Sequence, residues 1–302
     1  MSDATHSDGV QSDLAQVDAL IDPQEFEAVV SESKLIPAGP FDTVRSADGT
    51  LIAYERAGSG PALILIGGAF SVRQGGYGLR DVLADRFTVY EVDRRGRGDS
   101  TDTQPYSVER EIEDIAALVA VAGADRRPVY VYGHSSGGIL SLEAAARGLP
   151  IERLAVYEPP FTYDPADPEQ GEPEGQAVLA ALDAGDHDAA VEAFMRLTGA
   201  DDSVIAWTRQ AAYWPGMVAI APTTAYDLAV TGDRRVSVER LGRISIPVLV
   251  LDGGASAVWA GRASDAVVAA VPDARRYTVE EQAHGAAADV LAPILTEFFL
   301  GA

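Results

Sequence analysis

The sequence predicts an α/β protein: a mostly parallel sheet with helices on both faces and a helical cap inserted between two of its strands. Three observations carry this. From Phe41 onward, short apolar runs alternate with helix-like stretches, the pattern of parallel strands joined by crossover helices. One strand-to-helix junction holds the sequence Gly133-His134-Ser135-Ser136-Gly137. The alternation then stops between residues 160 and 240, where the chain is Pro- and acid-rich at first and mostly helical afterwards.

Residues 1–40 contain eight acids and one base and open on small polar residues, a composition that favours disorder. Leu14, Val17, Leu20 and Ile21, continued after Pro23 by Phe26, Val29 and Val30, nevertheless have helical spacing. This arm therefore reads equally as a broken amphipathic helix laid over the body of the protein or over a second copy, which makes a homodimer a state to test. Removing residues 1–36 is expected to leave the main fold intact.

The body spans residues 41–160 and 241–302. Residues 50–55 alternate as one strand of an antiparallel hairpin, and 58–61 form a Gly/Pro turn. Residues 62–66 are continuously apolar, as a strand buried on both faces must be. Further strands are expected at 86–93, 128–132, 154–157, 247–251 and 276–279, with helices at 107–121, 139–147 and 290–300. Residues 161–240 carry Phe194, Met195, Trp207, Tyr213, Trp214 and Met217. They read as a helical cap whose aromatics serve partly as its own small core and partly as a lining over a site.

Composition narrows the function. The chain has no cysteine, so thiol catalysis, disulfides and cysteine-bound zinc are excluded. A formal charge of −23 repels phosphate backbones and anionic lipid surfaces and argues against nucleic-acid and membrane partners. No apolar run approaches the ~20 residues of a membrane span, and the acidic start is unlike a signal peptide, so a cytoplasmic protein is expected. There is no Walker loop, dinucleotide-binding glycine pattern or metal-ligand cluster, and no cofactor is expected. The Gly75-Gly76 pair reads as a flexible loop able to shape a pocket mouth.

The chemistry concentrates at residues 133–137. Gly-x-Ser-x-Gly between a strand and a helix is the pattern of a nucleophile elbow, in which a sharp strained turn exposes the serine at the top of the sheet. A serine hydroxyl is a poor nucleophile at neutral pH and needs a base. The chain has four histidines. His6 lies in the acidic arm, His134 sits inside the elbow with its side chain diverging from Ser135, and His187 lies between two aspartates. His284, after a strand and before the terminal helix, is the candidate base. The Ser136 amide, next to the nucleophile, is a candidate oxyanion donor.

These landmarks together resemble the α/β-hydrolase superfamily over roughly residues 41–300. Asp93-x-Arg95-Gly96-x-Gly98-x-Ser100 is similar to a loop these proteins carry after an early strand, and Ala283-His284-Gly285 is similar to their histidine loop. The resemblance implies an α/β-hydrolase sheet and treats the arginines at 94, 95 and 97 as structural. It also implies a second oxyanion amide in the loop after residues 62–66, which here reads Gly67-Gly68-Ala69-Phe70; Ala69 is the candidate, with Phe70 as alternative. The family's acid usually lies in a Gly-x-x-Asp turn after residues 247–251. In this chain that turn is Gly253-Gly254-Ala255-Ser256, with a serine in the acid's place. Glu158, at the end of the strand after the elbow unit, is the replacement expected, held by Pro159-Pro160; Asp252 is the rival, and a site with no catalytic carboxylate stays open. Glu280 and Glu281 are expected to face solvent.

The expected activity is a serine hydrolase using Ser135, His284 and Glu158 on an ester, thioester or lactone of a hydrophobic small molecule. Phe70, His134, Trp207, Tyr213 and Trp214 are the candidate substrate contacts. A non-hydrolytic lyase or cyclase of the same fold, motivated by the displaced acid, and a non-catalytic binding protein are the alternatives.

Overall fold

The computed structural model describes residues 41–73, 78–125, 127–162, 166 and 171–301. The arm at 1–40, and with it the expectation of a pairing helix, lies outside these residues, as does Gly75-Gly76.

Eight strands form one sheet in the order β1-β2-β4-β3-β5-β6-β7-β8. They are β1 (Asp42–Arg45), β2 (Leu51–Gly58), β3 (Ala62–Ile66), β4 (Thr88–Val92), β5 (Val129–His134), β6 (Arg153–Tyr157), β7 (Val248–Gly253) and β8 (Ala274–Val279). β2 runs antiparallel to both β1 and β4, and every other pairing is parallel. The hairpin partner of residues 50–55 is therefore β1. β3 follows β2 across the 58–61 turn but lies one strand further in, because β4 inserts between them.

Period-two alternation sends successive residues of the central strands to opposite faces. Ile64, Ile66, Val131, Leu154, Val156, Val248 and Val250 pack on one side with α2 (Val108–Ala122), α3 (Ser136–Ala146) and α10 (Val258–Ala270). Leu63, Leu65, Tyr130, Tyr132, Ala155, Tyr157, Leu249 and Leu251 pack on the other with α1 (Leu79–Leu83) and α11 (Ala288–Leu300). Both sets are apolar, so these strands read as continuous hydrophobic runs rather than alternating ones.

Between β6 and β7 the chain leaves the sheet and forms α4 (Glu172–Asp183), α5 (His187–Leu197), α6 (Asp202–Thr208), α7 (Trp214–Ile220), a 3₁₀ turn (Ala221–Thr223), α8 (Thr224–Thr231) and α9 (Val238–Leu241). Asp186 and Asp201 cap α5 and α6 by accepting backbone amide bonds, which satisfies donors that the first helical turn leaves open. The helices have cores of their own, around Val191, Met195, Ile205 and Trp214, and around Val178 and Phe194. Among the described residues no helix is long and apolar enough to cross a membrane.

Candidate active site

Strand register brings the site together. His134 of β5 lies opposite Tyr157 of β6, so the next residues, Ser135 and Glu158, leave the sheet side by side at its carboxyl end. Ser135 adopts φ 54°, ψ −126° and Glu158 has φ 46°, both in a region that L-residues seldom occupy and that marks functional turns. The elbow is held tightly. The Ser135 amide donates to the Tyr157 carbonyl at 2.9 Å, and the Gly138 amide donates back to the Ser135 carbonyl at 2.8 Å. A β-carbon on Gly137 would fall 2.3 Å from the Ile66 carbonyl oxygen, so only glycine lets α3 approach β3 this closely.

His284 arrives from the loop between β8 and α11. Its Nδ1 lies 2.7 Å from Glu158 Oε2, and the other carboxylate oxygen accepts the Gly253 amide, also at 2.7 Å. Glu158 is wholly buried and His284 is 9% exposed. Burial alone would raise the Glu158 carboxyl, but the hydrogen bond and charge of His284, the Ser256 hydroxyl and the Gly253 amide outweigh it and hold the group below its ordinary value. Ser256 Oγ is itself buried and makes no hydrogen bond of good geometry; it favours the charge from nearby without binding it. A carboxylate on Nδ1 fixes the proton there and turns the basic Nε2 outward.

The histidine loop has two further anchors. Tyr157 Oη donates to the Ala283 carbonyl at 2.5 Å, and His134 Nε2 lies 2.8 Å from the His284 carbonyl oxygen, which makes Nε2 the protonated nitrogen of that ring. Burial and the charge of His284 push the His134 imidazole down to about 3, so it serves as a neutral strut although its edge reaches the cavity.

Asp252 is placed elsewhere. It points at Arg276, whose Nε and Nη2 donate to its two oxygens at 2.7 Å each, and its rivalry with Glu158 as the partner of His284 is thereby corrected. Glu280 and Glu281 are exposed.

A cavity of about 380 Å³ opens over Ser135 and His284, within the range of small-molecule sites. Ala69, Phe70, His134, Ser136, Trp207 and Tyr213 line it. Trp214 does not line it: its ring packs in the core of the helical insertion and its Nε1 donates to Asp188 at 2.8 Å. Among the lining residues that went unnoticed in the sequence are Trp259 and Asp227. Trp259 of α10 stands with its ring centre 6.1 Å from that of His284, and Asp227 of α8 reaches the cavity wall. Nothing local in the chain marks either one.

Ala69 and Ser136 present backbone amides that no described residue accepts from. The Ser136 amide opens α3, where an N–H has no intrahelical acceptor. The glycine at 68 brings the Ala69 loop against Ser135, since a β-carbon there would lie 2.7 Å from Ser135 Cβ. The arrangement thus offers a strained serine, an imidazole oriented by a buried carboxylate, and two free amides at one cavity, a set suited to acyl transfer.

Comparison with known proteins agrees with this architecture. A solved structure of an alpha/beta hydrolase from Sphaerobacter thermophilus DSM 20745 is 49% identical, with a TM-score of 0.80 over 85% of this chain and 100% of the other. The esterase RhEst1 from Rhodococcus sp. ECU1013 shares the fold at 20% identity, with a TM-score of 0.64 over 85% of this chain and 98% of the other. In sequence, N-formylmaleamate deformylase of Pseudomonas putida is 35% identical over 121 residues, which are 39% of this chain and 44% of that protein. The chain thus spans less than half the length of that curated relative. A family model described as the alpha/beta hydrolase family matches residues 63–293. With the match covering most of the chain, the protein belongs to the alpha/beta hydrolase family.

Proposed function

We propose that this protein is a serine hydrolase that cleaves an ester, thioester or lactone of a medium-sized hydrophobic molecule through an acyl-enzyme. The observation that carries the reading is the buried Glu158–His284 hydrogen bond of 2.7 Å beside a serine held in a strained elbow conformation. Ser135 Oγ attacks the substrate carbonyl while His284 Nε2 takes its proton, and Glu158 holds the imidazole in the required tautomer and stabilises its charged form. The Ala69 and Ser136 amides receive the developing oxyanion. His284 then protonates the leaving group, and a water activated by the same imidazole releases the acyl group.

On this reading the 161–240 segment is a cap: Phe194, Met195, Trp207, Tyr213 and Met217 line the cavity, and their apolar side chains exclude water from the acyl group. A deformylase and an esterase among the similar proteins fit chemistry at an acyl carbon. The lyase or cyclase alternative rests on the displaced acid and the Gly67-Gly68 loop; the 2.7 Å contact between Glu158 and His284 favours the hydrolase reading.

The test is stopped-flow hydrolysis of p-nitrophenyl esters of increasing chain length by the wild type and Ser135→Ala. The expected result is a burst of p-nitrophenol with one equivalent per enzyme, absent in Ser135→Ala, and labelling of Ser135 by a fluorophosphonate. Turnover that survives in Ser135→Ala at the wild-type rate would refute the acyl-enzyme reading.

A further inference from the structure

The loop that carries Arg94 and Arg97 does more than shape the chain. Both side chains are buried and both run beneath the oxyanion loop to the helical insertion. Arg97 Nη1 donates to the Gly68 carbonyl, its Nε to Thr223 Oγ1 at 3.0 Å and its Nη2 to Asp227 Oδ2 at 2.7 Å. Arg94 forms a two-pronged pair with Glu111, each bond 2.7 Å long, and reaches Asp227 Oδ1 at 2.8 Å. The same oxygen accepts Ser136 Oγ–H at 2.7 Å. Two guanidinium groups and two carboxylates make a neutral buried quartet, and only a quartet so paired is tolerable away from water.

Its position matters because of which atoms it touches. The Gly68 carbonyl belongs to the same planar peptide unit as the Ala69 N–H, and in a trans peptide the two point in opposite directions. A cation bound at the carbonyl draws electron density along that unit and makes the N–H at the far side a stronger donor. Asp227, from the cap helix α8, holds Arg97 in place and at the same time fixes Ser136, the residue that offers the other amide. One cap carboxylate therefore reaches both candidate oxyanion donors.

We propose that Arg97, held by Asp227 of the cap, is a positioning residue that polarises the Gly68–Ala69 peptide and so sets the strength of the oxyanion hole. This inference rests on the reading of Ser135 as an acylated nucleophile. Arg97 does not line the cavity, so it acts on the transition state through the peptide and not by binding substrate. It follows that a seated cap and a preorganised oxyanion hole are one state of the protein.

The test uses the full chain with Arg97→Met and, as a gentler change, Thr223→Val, which removes an acceptor of Arg97 and keeps its charge. Three quantities are measured for each: kcat and KM on a p-nitrophenyl ester, the inhibition constant of an alkylboronic acid that Ser135 converts to a tetrahedral anion, and that of the uncharged ether isostere of the ester. Since deleting one oxyanion donor costs ~10²–10³ in kcat, weakening one is expected to lower kcat by ~10-fold to ~100-fold in Arg97→Met, raise the boronate constant by about the same factor, and leave KM and the ether constant within ~2-fold. Thr223→Val should shift kcat and the boronate constant together in the same direction by less, and it carries the test alone if Arg97→Met does not fold. Equal weakening of boronate and ether, or unchanged kcat and boronate affinity in folded variants, would overturn the proposal. Should a fluorophosphonate fail to label Ser135 in the wild type, the hydrolase reading and this inference fall together. If Ser135 is labelled and the boronate constant does not move, this inference alone is wrong.

Discussion

Glu158→Gln is the most exacting test of the site, because the structure says why a nearly isosteric change must fail. Two donors converge on the carboxylate: His284 Nδ1 on Oε2 and the Gly253 amide on Oε1, each at 2.7 Å. A carboxylate accepts both, whereas a carboxamide has one accepting oxygen and one donating nitrogen. If the amide oxygen faces His284, its NH₂ confronts the Gly253 N–H. If it turns over, the NH₂ confronts Nδ1 and forces the imidazole into the tautomer whose Nε2 carries the proton, which cannot take one from Ser135. The comparable Asp-to-Asn change in a serine protease costs ~10⁴ in kcat, equivalent to about 5.4 kcal/mol at 1.36 kcal/mol per decade. An unsatisfied buried donor adds a stability loss of roughly 1–3 kcal/mol. Acylation rates from the burst phase, measured beside Asp252→Asn, give the readout: Glu158→Gln should lose most of its acylation rate, and Asp252→Asn should acylate as the wild type does while melting earlier through the loss of its Arg276 pair. Wild-type acylation in Glu158→Gln with collapse in Asp252→Asn would refute the assignment.

Three further outcomes follow from the same geometry. Gly68→Ala places a methyl 2.7 Å from Ser135 Cβ and 3.3 Å from His134 Nδ1; neither neighbour is the end of a flexible chain, so on the proposed function ester turnover should fall at least ~10-fold as the Ala69 loop is pushed off Ser135. Glu91, buried beneath α1, is raised by burial to about 8 although Arg80 lies 3.2 Å away, because Glu55 and Asp81 share that cation. Its folded value lies above its unfolded one near 4.5, so its contribution is fully present below pH 4.5 and lost as pH rises through 8; Glu91→Gln should therefore melt increasingly later than wild type as pH rises from 4.5 to 8 and hold a constant advantage above it, by at most a few kcal/mol in ΔG. Glu158 has the opposite sign: held below its ordinary value, it stabilises above that value and gives way only as pH falls through its depressed one, so Glu158→Gln should flatten the acid limb of a thermal-stability profile.

The parts of this molecule legible in the sequence are those whose signal is local. Residues 62–66 form a strand with the bounds their apolar run suggests, and Ser135 stands where the glycine spacing puts it. Glu158 comes beside Ser135 because parallel neighbours in register set their terminal residues side by side. What escaped depends on partners far away in the chain. Arg97 and Asp227 are separated by 130 residues, and nothing near either one says that the other exists, so the arginine loop read as scaffold. Trp214, unlike Trp207, left the cavity wall for a reason of helical phase. Seven residues apart, they would share one face of a continuous helix, but α6 ends at Thr208 and α7 begins at Trp214. The break resets the helical phase, leaving Trp207 in the cavity wall and sending Trp214 into the insertion's core.

The displaced acid changes what each strand contributes. With a serine at 256, the turn after β7 supplies no carboxylate, yet the end of β7 still faces the site: the Gly253 amide donates to Glu158 at 2.7 Å and orients a carboxylate that comes from the neighbouring strand. The histidine loop is likewise tied to β5 and β6, through His134 to the His284 carbonyl and through Tyr157 to the Ala283 carbonyl. Ser135, Glu158 and both anchors of the His284 loop thus come from two adjacent strands, or their ends, locked in register over five residue pairs. A displacement of β7 or β8 would disturb the Gly253 donor and leave the Ser135–Glu158 spacing as it is. A slip between β5 and β6 would move every one of these groups at once. Substitutions that loosen the β5–β6 pairing should therefore abolish activity before they unfold the protein, whereas equally destabilising changes at the β7–β8 edge should cost stability first.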